Sequence, residues 1–235
     1  MIESLGVATV VLGLVRPHME ATRPPRGLFV PFPLGRPLGE PGDAAFQTRV
    51  LRHALGLFER TDGPVILEDF GEDAPSQTAV AGWAPPFVLP VPVPGQVSAA
   101  SLRAEMALVM PWWMRAQARF GRTTVGVSGI APAAWPDLFA AFLAGEVPAS
   151  PVPGLTPALA LRFACDDLKA LYSEAAQSDG PMPGIWQVEG WFWTATLAGR
   201  LLVALRTAGM ASSDNAVRTV AGRFFVPAPF LPPAT

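Results

Sequence analysis

The chain has 235 residues, half of them hydrophobic, and a formal net charge of −2. That length holds one large domain or two small ones with a sizeable core. The near-neutral balance excludes the basic excess of a nucleic-acid binder, and the single cysteine, Cys165, excludes an intramolecular disulfide or a cysteine-based metal cluster.

Val7 to Val15 is β-branched and leucine-rich and reads as a buried strand. Gly27 to Pro31 reads as a second strand. Asp43 is placed to cap a helix from Ala44 to about Arg60, with Phe46, Val50, Ala54, Leu57 and Phe58 on its apolar face. Asp62-Gly63 ends it, and Val65-Ile66-Leu67 makes a third strand. From Asp73 to Gln96 periodicity is lost, and Pro75, Pro85, Pro86, Pro90, Pro92 and Pro94 impose an extended, polyproline-like path. Trp83, Phe87, Val88 and Leu89 within it predict that the segment lies against the body of the protein.

Beyond it the chain reads as helical. Ser98 or Ser101 caps a helix to Phe120, kinked or split at Pro111 and closed by Gly121. Thr123 to Val127 reads as a short strand, and Ala133 to Ala144 as a helix ended by Gly145. Thr156-Pro157 opens a helix to about Gln177. Val188 to about Ala208 reads as one helix and Asp214 to Gly222 as a last short one. The expected fold class is α/β, with α+β as the alternative: a small, mostly parallel sheet in the N-terminal part and a mainly helical C-terminal half. The expected division is 1–73, a proline-rich crossing segment 74–97, and 98–235, with or without a shared core. The most apolar late stretch, Trp191 to Leu205, is interrupted by Arg200 and falls short of the roughly 20 residues that span a bilayer. The N-terminus has no secretory pattern, so the expectation is a cytoplasmic, bacterial-type protein without a membrane or nucleic-acid partner.

Three stretches carry a resemblance: Gly6-Val7-Ala8-Thr9-Val10, Pro25-Arg26-Gly27-Leu28-Phe29-Val30 and Pro33-Leu34-Gly35-Arg36-Pro37, continued by the following helix and Gly63-Pro64-Val65-Ile66-Leu67. On these residues, positions 4 to about 73 resemble the selenoprotein B component of the glycine, sarcosine, betaine and D-proline reductases and related reductases. The resemblance implies that scaffold and a substrate-side loop. In those reductases a selenocysteine or cysteine N-terminal to the matching region attacks the carbon bearing the amine. No cysteine precedes Gly6 here, so the resemblance implies the scaffold without its nucleophile, and the expectation is a thiol from a partner or a small-molecule reductant.

The stiff loop from Phe32 to Asp43 stands between a strand and a helix, where α/β proteins often bind ligands. Arg26, Phe32, Gly35, Arg36 and Gly39 are its candidate substrate-binding residues, with arginine forks and a helix N-terminus suited to a carboxylate. The alternative is a rigid turn with solvated arginines. His18, Lys169, Tyr172 and Glu189 are the candidate acid–base residues, with Asp166, Lys169 and Tyr172 three apart on one helix. A surface salt bridge beside a half-buried tyrosine is the plainer reading. Glu68, Asp69, Glu72 and Asp73 put four carboxylates in six residues, either an oxygen-ligand cation site or a solvated acidic turn. Gly126-Val127-Ser128-Gly129 lacks the last glycine of a nucleophile elbow and reads as a tight turn. Trp112, Trp113, Trp186, Trp191, Phe192 and Trp193 are read as core or interface, with an aromatic cage for a quaternary ammonium as the alternative.

Three functional expectations follow. The first is a reductase-related subunit that binds a small, amino-acid-like carboxylate and takes its thiol or selenol from a partner. The second is a non-catalytic binding or assembly protein on the same scaffold. The third is an enzyme of another class with its site in the helical half. A short sheet with open edges predicts an oligomer, with itself or with a cysteine- or selenocysteine-bearing subunit. The sequence leaves the cofactor open.

Overall fold

A computed structural model describes residues 2–74, 78–93, 95 and 97–231. Pro75, Pro94 and Gln96 of the crossing segment lie outside the described residues. The chain divides into two units, Met1–Val80 with Pro183–Trp186, and Ala81–Met182 with Gln187–Thr235. Most of the expected crossing segment therefore belongs to the helical unit. Among the described residues the buried side chains form two clusters, one in each unit.

The first unit is a three-stranded parallel sheet in the order β1 (Val11–Gly13), β2 (Arg26–Phe29), β3 (Ile66–Asp69). Helix α1 (Arg16–Thr22) links β1 to β2, and α2 (Ala44–Gly56) links β2 to β3. Strand alternation assigns the helices to opposite faces. Gly13 and Gly27 share a face, and Met19 of α1 lies so close that a Cβ on Gly13 would stand 1.9 Å from its sulfur. Leu28, Val30 and Ile66 join Phe46, Val50, Ala54 and Leu57 from the α2 side. Asp43 accepts from the Phe46 N–H at 2.9 Å, which is the expected cap.

Two local expectations fail here. The strand over Val7–Val15 shortens to Val11–Gly13, because Glu3 takes the Thr9 N–H and hydroxyl at 2.8 and 3.1 Å. Helix α1 is an element the hydrophobic pattern did not announce; Pro17 sits in its first turn.

The second unit contains α3 (Ala99–Phe120), α4 (Trp135–Leu143), α5 (Pro157–Ala176), α6 (Ile185–Ala195) from Gln187 onward, α7 (Leu197–Met210) and α8 (Asn215–Val220), the last continued by a π-turn over Ala221–Phe225. Helix α5 buries Ala160, Leu161, Ala164, Cys165, Leu168, Leu171, Tyr172 and Ala175, a stripe too broad for a surface helix, so other helices surround it. Ser98 and Ser101 cap α3 reciprocally through each other's N–H and hydroxyl groups, and the helix runs unsplit through Pro111 to Gly121. Thr156 caps α5.

The single helix expected over Val188–Ala208 begins at Ile185 and breaks at Thr196. The Thr196 hydroxyl donates to the Phe192 carbonyl at 2.7 Å and accepts from the Gly199 N–H at 2.9 Å, so one side chain ends α6 and starts α7. Gly199 lets the helices meet, since a Cβ there would stand 2.4 Å from the Phe192 carbonyl oxygen. The strand expected over Thr123–Val127 is a turn. Its donors go to α5: Thr123, Thr124 and the Thr124 N–H bond Glu174, and the Gly126 and Val127 N–H groups bond Asp167. The Val125 N–H goes to the Thr123 hydroxyl at 3.1 Å, and donors committed to side chains are lost to a ladder.

Candidate functional site

In a parallel α/β layer, ligands gather beyond the C-terminal ends of the strands. Here β1 leads into Arg16, β2 into the 30–43 loop, and β3 into Phe70 through Asp73. Arg16 donates from Nε to Asp69 at 2.8 Å and pairs with Glu20. Arg49 forks onto Glu72, with its closest contact at 2.8 Å. The guanidinium beside it holds the Glu72 carboxyl below the usual carboxylate range. Each rim cation is thus already matched to a carboxylate.

The loop residues proposed from sequence divide between core and surface. Phe32 is buried against Phe46 and Phe70, at centroid distances of 5.4 and 5.8 Å, and faces the core. Gly35 and Gly39 hold left-handed conformations at φ +86° and +83°, and a Cβ on Gly39 would stand 2.5 Å from the Phe46 ring. These glycines shape the turn. Arg36 pairs with Glu40 at 3.1 Å. Arg26 begins β2, at the opposite end of the strand from the loop, and donates to the Leu57 carbonyl at 3.1 Å and to Glu3 at 3.0 Å. The structure therefore does not bring Arg26 and Arg36 together, and Asp43 holds the α2 N-terminus with its own carboxylate. His18 lies exposed on α1, with its carbonyl accepting from Thr22.

The acidic group also disperses. Alternation along β3 turns Glu68 and Asp69 to opposite faces. Glu68 meets Arg60 and His53, Asp69 meets Arg16, Glu72 meets Arg49, and Asp73 is exposed. Among the described residues, no group of three or more His, Cys, Asp or Glu is placed to hold a metal.

In the helical unit, α5 carries the densest polar chemistry. Its Asp167 is buried and accepts the N–H groups of Gly126, Val127 and Ser128 at 2.8, 3.0 and 3.0 Å and the Ser128 hydroxyl at 2.5 Å. The 126–128 turn is an anion nest filled by the protein's own carboxylate. On α3, buried Glu105 accepts the Tyr172 hydroxyl at 2.8 Å and, at the N-terminus of α7, the Leu197 and Ala198 N–H groups at 2.8 and 3.0 Å. Burial and the Glu105 charge raise the Tyr172 phenol well above its ordinary value.

The helical candidates fall into two environments. Tyr172 points into the core, whereas Lys169 bonds Asp166 at 2.8 Å and the Phe224 carbonyl at 3.0 Å. The three-residue spacing therefore does not make one polar face of Asp166, Lys169 and Tyr172. Glu189 is half-buried, and desolvation raises its carboxyl pKa, partly offset by the Lys169 ammonium. Cys165 is fully buried, and burial pushes its thiol upward, the opposite of an activated nucleophile. Four of the aromatic candidates pack on aromatic neighbours, Phe192 on Trp193 at 4.9 Å, Trp193 on Phe230 at 5.6 Å, and Phe87 on both Trp112 and Trp191 at 5.8 Å, whereas Trp113 donates to Glu174 at 2.9 Å and Trp186 is exposed.

Sequence reasoning missed Glu105 and Asp167. Each falls on an apolar stripe, Glu105 beside Leu102, Met106 and Val109, and Asp167 beside Ala164, Leu168 and Leu171. An acidic residue on such a stripe was the available signal. Among the described residues, no helix is long and apolar enough to cross a membrane. Comparison with protein-family models, with curated proteins and with solved structures finds no match.

Proposed function

We propose that the chain is a binding and assembly subunit on a reductase-like scaffold, with thiol or selenol chemistry supplied by a partner protein. One observation carries this reading: β1 is the edge of an all-parallel sheet, and Leu5, Val7, Val11 and Val15, on and around it, stand exposed. Parallel sheets are ordinarily covered, and an open edge is a template for another strand. The state of the in-chain groups agrees. Cys165 is buried with its pKa raised, and Arg26 and Arg36 already have partners. Any substrate carboxylate is then bound jointly with the partner.

Native mass spectrometry of the protein from its own host tests this. A stoichiometric complex with a cysteine- or selenocysteine-bearing protein, lost on changing Val11 to Pro, is the expected result. A species without such a partner overturns it.

Glu189 favours a second reading, an enzyme with its acid–base group in the helical half. Its carboxyl is half-buried, has a raised pKa and lies within the field of Lys169, the pattern of a tuned proton donor. A turnover assay on small amino acids in which Glu189→Gln abolishes a pH-dependent rate supports this reading. No rate with the isolated chain rejects it.

A further inference from the structure

Helices α3, α4 and α7 leave a cleft of about 240 Å³ between them. Leu102, Phe139 and Leu201, one from each helix and all buried, line its depth. Among the described residues no charged side chain lines it. Its one hydroxyl, on exposed Ser98 at the start of α3, is tied into the helix cap through Ser101. Ala99 of α3 and Ala140 of α4 border the space, and each stops at a methyl where a leucine would carry bulk into it.

The walls are held apart from any ligand. Arg103, next to Leu102, donates to Asp137 of α4 at 2.7 Å. The Trp135 indole N–H, at the start of α4, donates to the Ile130 carbonyl at 3.0 Å. Protein interiors are packed like organic crystals, and atoms around a void forgo dispersion contacts. Water does little to restore them, because an apolar space offers it too few hydrogen-bond partners. Cavities of about 150 Å³ lined by leucine, isoleucine and phenylalanine stay dry and take up benzene. This cleft has the same kind of lining and more room, which admits a fused or substituted ring. A charged ligand would lose its hydration and find no countercharge in the lining. We propose that the α3–α4–α7 cleft is a binding site for a small, uncharged, apolar ring compound of about the bulk of indole. The cleft lies within the helical unit, and neither the β1 edge nor Glu189 lines it, so it can fail without either functional reading failing.

The test is a methyl NMR titration of the full-length protein with indole, with benzoate as a charged control of similar size. The expected result is that indole moves the methyl resonances of Leu102, Ala140, Leu143 and Leu201 along one saturable curve, and that benzoate binds at least about tenfold more weakly. Ala140→Leu, which fills the cleft, should weaken indole binding by about tenfold or more while the unfolding midpoint is kept or raised. If overpacking lowers that midpoint, Ala99→Leu takes its place with the same expectation. Absence of saturable indole binding, benzoate binding as tight as indole, or equal binding by wild type and both filled variants overturns the proposal. Shifts spread over exposed residues such as Val88 and Val127 also overturn it, by assigning the effect to adsorption on the surface.

Discussion

The two units place their charges differently. In the sheet unit, the pairs Arg16–Asp69, Arg36–Glu40, Arg49–Glu72 and Arg60–Asp62 all lie at the surface. In the helical unit, Glu105 and Asp167 are buried, and each gathers N–H groups from segments far away in sequence. Exposed pairs gain little and are screened by salt. A buried carboxylate is tolerable only when fully hydrogen-bonded, and removing it strands every donor it served. The helical unit thus depends on two acidic residues, whereas the sheet unit depends on apolar contacts such as Met19 on Gly13 and Gly27.

Six of the seven tryptophans belong to the helical unit, so indole fluorescence during urea unfolding reports mainly on that unit. Glu105→Ala should have the largest effect, a loss of about 4 kcal/mol, because it orphans the Tyr172 hydroxyl and two N–H groups of α7. Glu105→Gln, which still accepts hydrogen bonds, should lose less. If both cost under about 1 kcal/mol, the contrast between the units fails.

Asp167→Ala should follow at about 3 kcal/mol. Hydrogen exchange at Gly126, Val127 and Ser128 should accelerate with it, since these N–H groups bond Asp167. Gly199→Ala should cost about 2 kcal/mol, because the added methyl meets the rigid Phe192 carbonyl. Its circular dichroism should stay helical, since Ala itself favours helix.

The pH dependence should run in opposite directions. Glu3 and Glu72 have lowered folded pKa values, Glu3 chiefly through the Thr9 N–H and Glu72 through Arg49. Their contribution is present above the unfolded value near pH 4.3 and is lost as pH falls through the folded values. Glu189 is raised by burial, so the unfolded chain releases this proton first. Its contribution falls as pH rises from about 4.3 to its folded value and is constant above that. Glu189→Gln should flatten the fluorescence-detected stability of the helical unit as pH rises above about 4.3. An unchanged slope would remove Glu189 as its source. The smallest effect belongs to Arg49→Gln, visible in dilute buffer and gone in about 1 M salt.

The sequence by itself determined the elements whose signals are local. Asp43, Ser98 and Thr156 each bond an N–H three residues on, and Gly121 takes the left-handed conformation that ends a helix. The three parallel strands and the helical second half were legible for the same reason. Tertiary structure decided the rest. The 123–127 segment became a turn because α5 carboxylates claimed its donors, and a helix broke at Thr196 where Glu105, 92 residues from Leu197, caps the new start. The same long-range contacts separated Tyr172 from Lys169 and matched Arg26 with Glu3. A cap lies within one turn of its helix and can be read from spacing. A buried carboxylate and its donors meet only after the chain has folded.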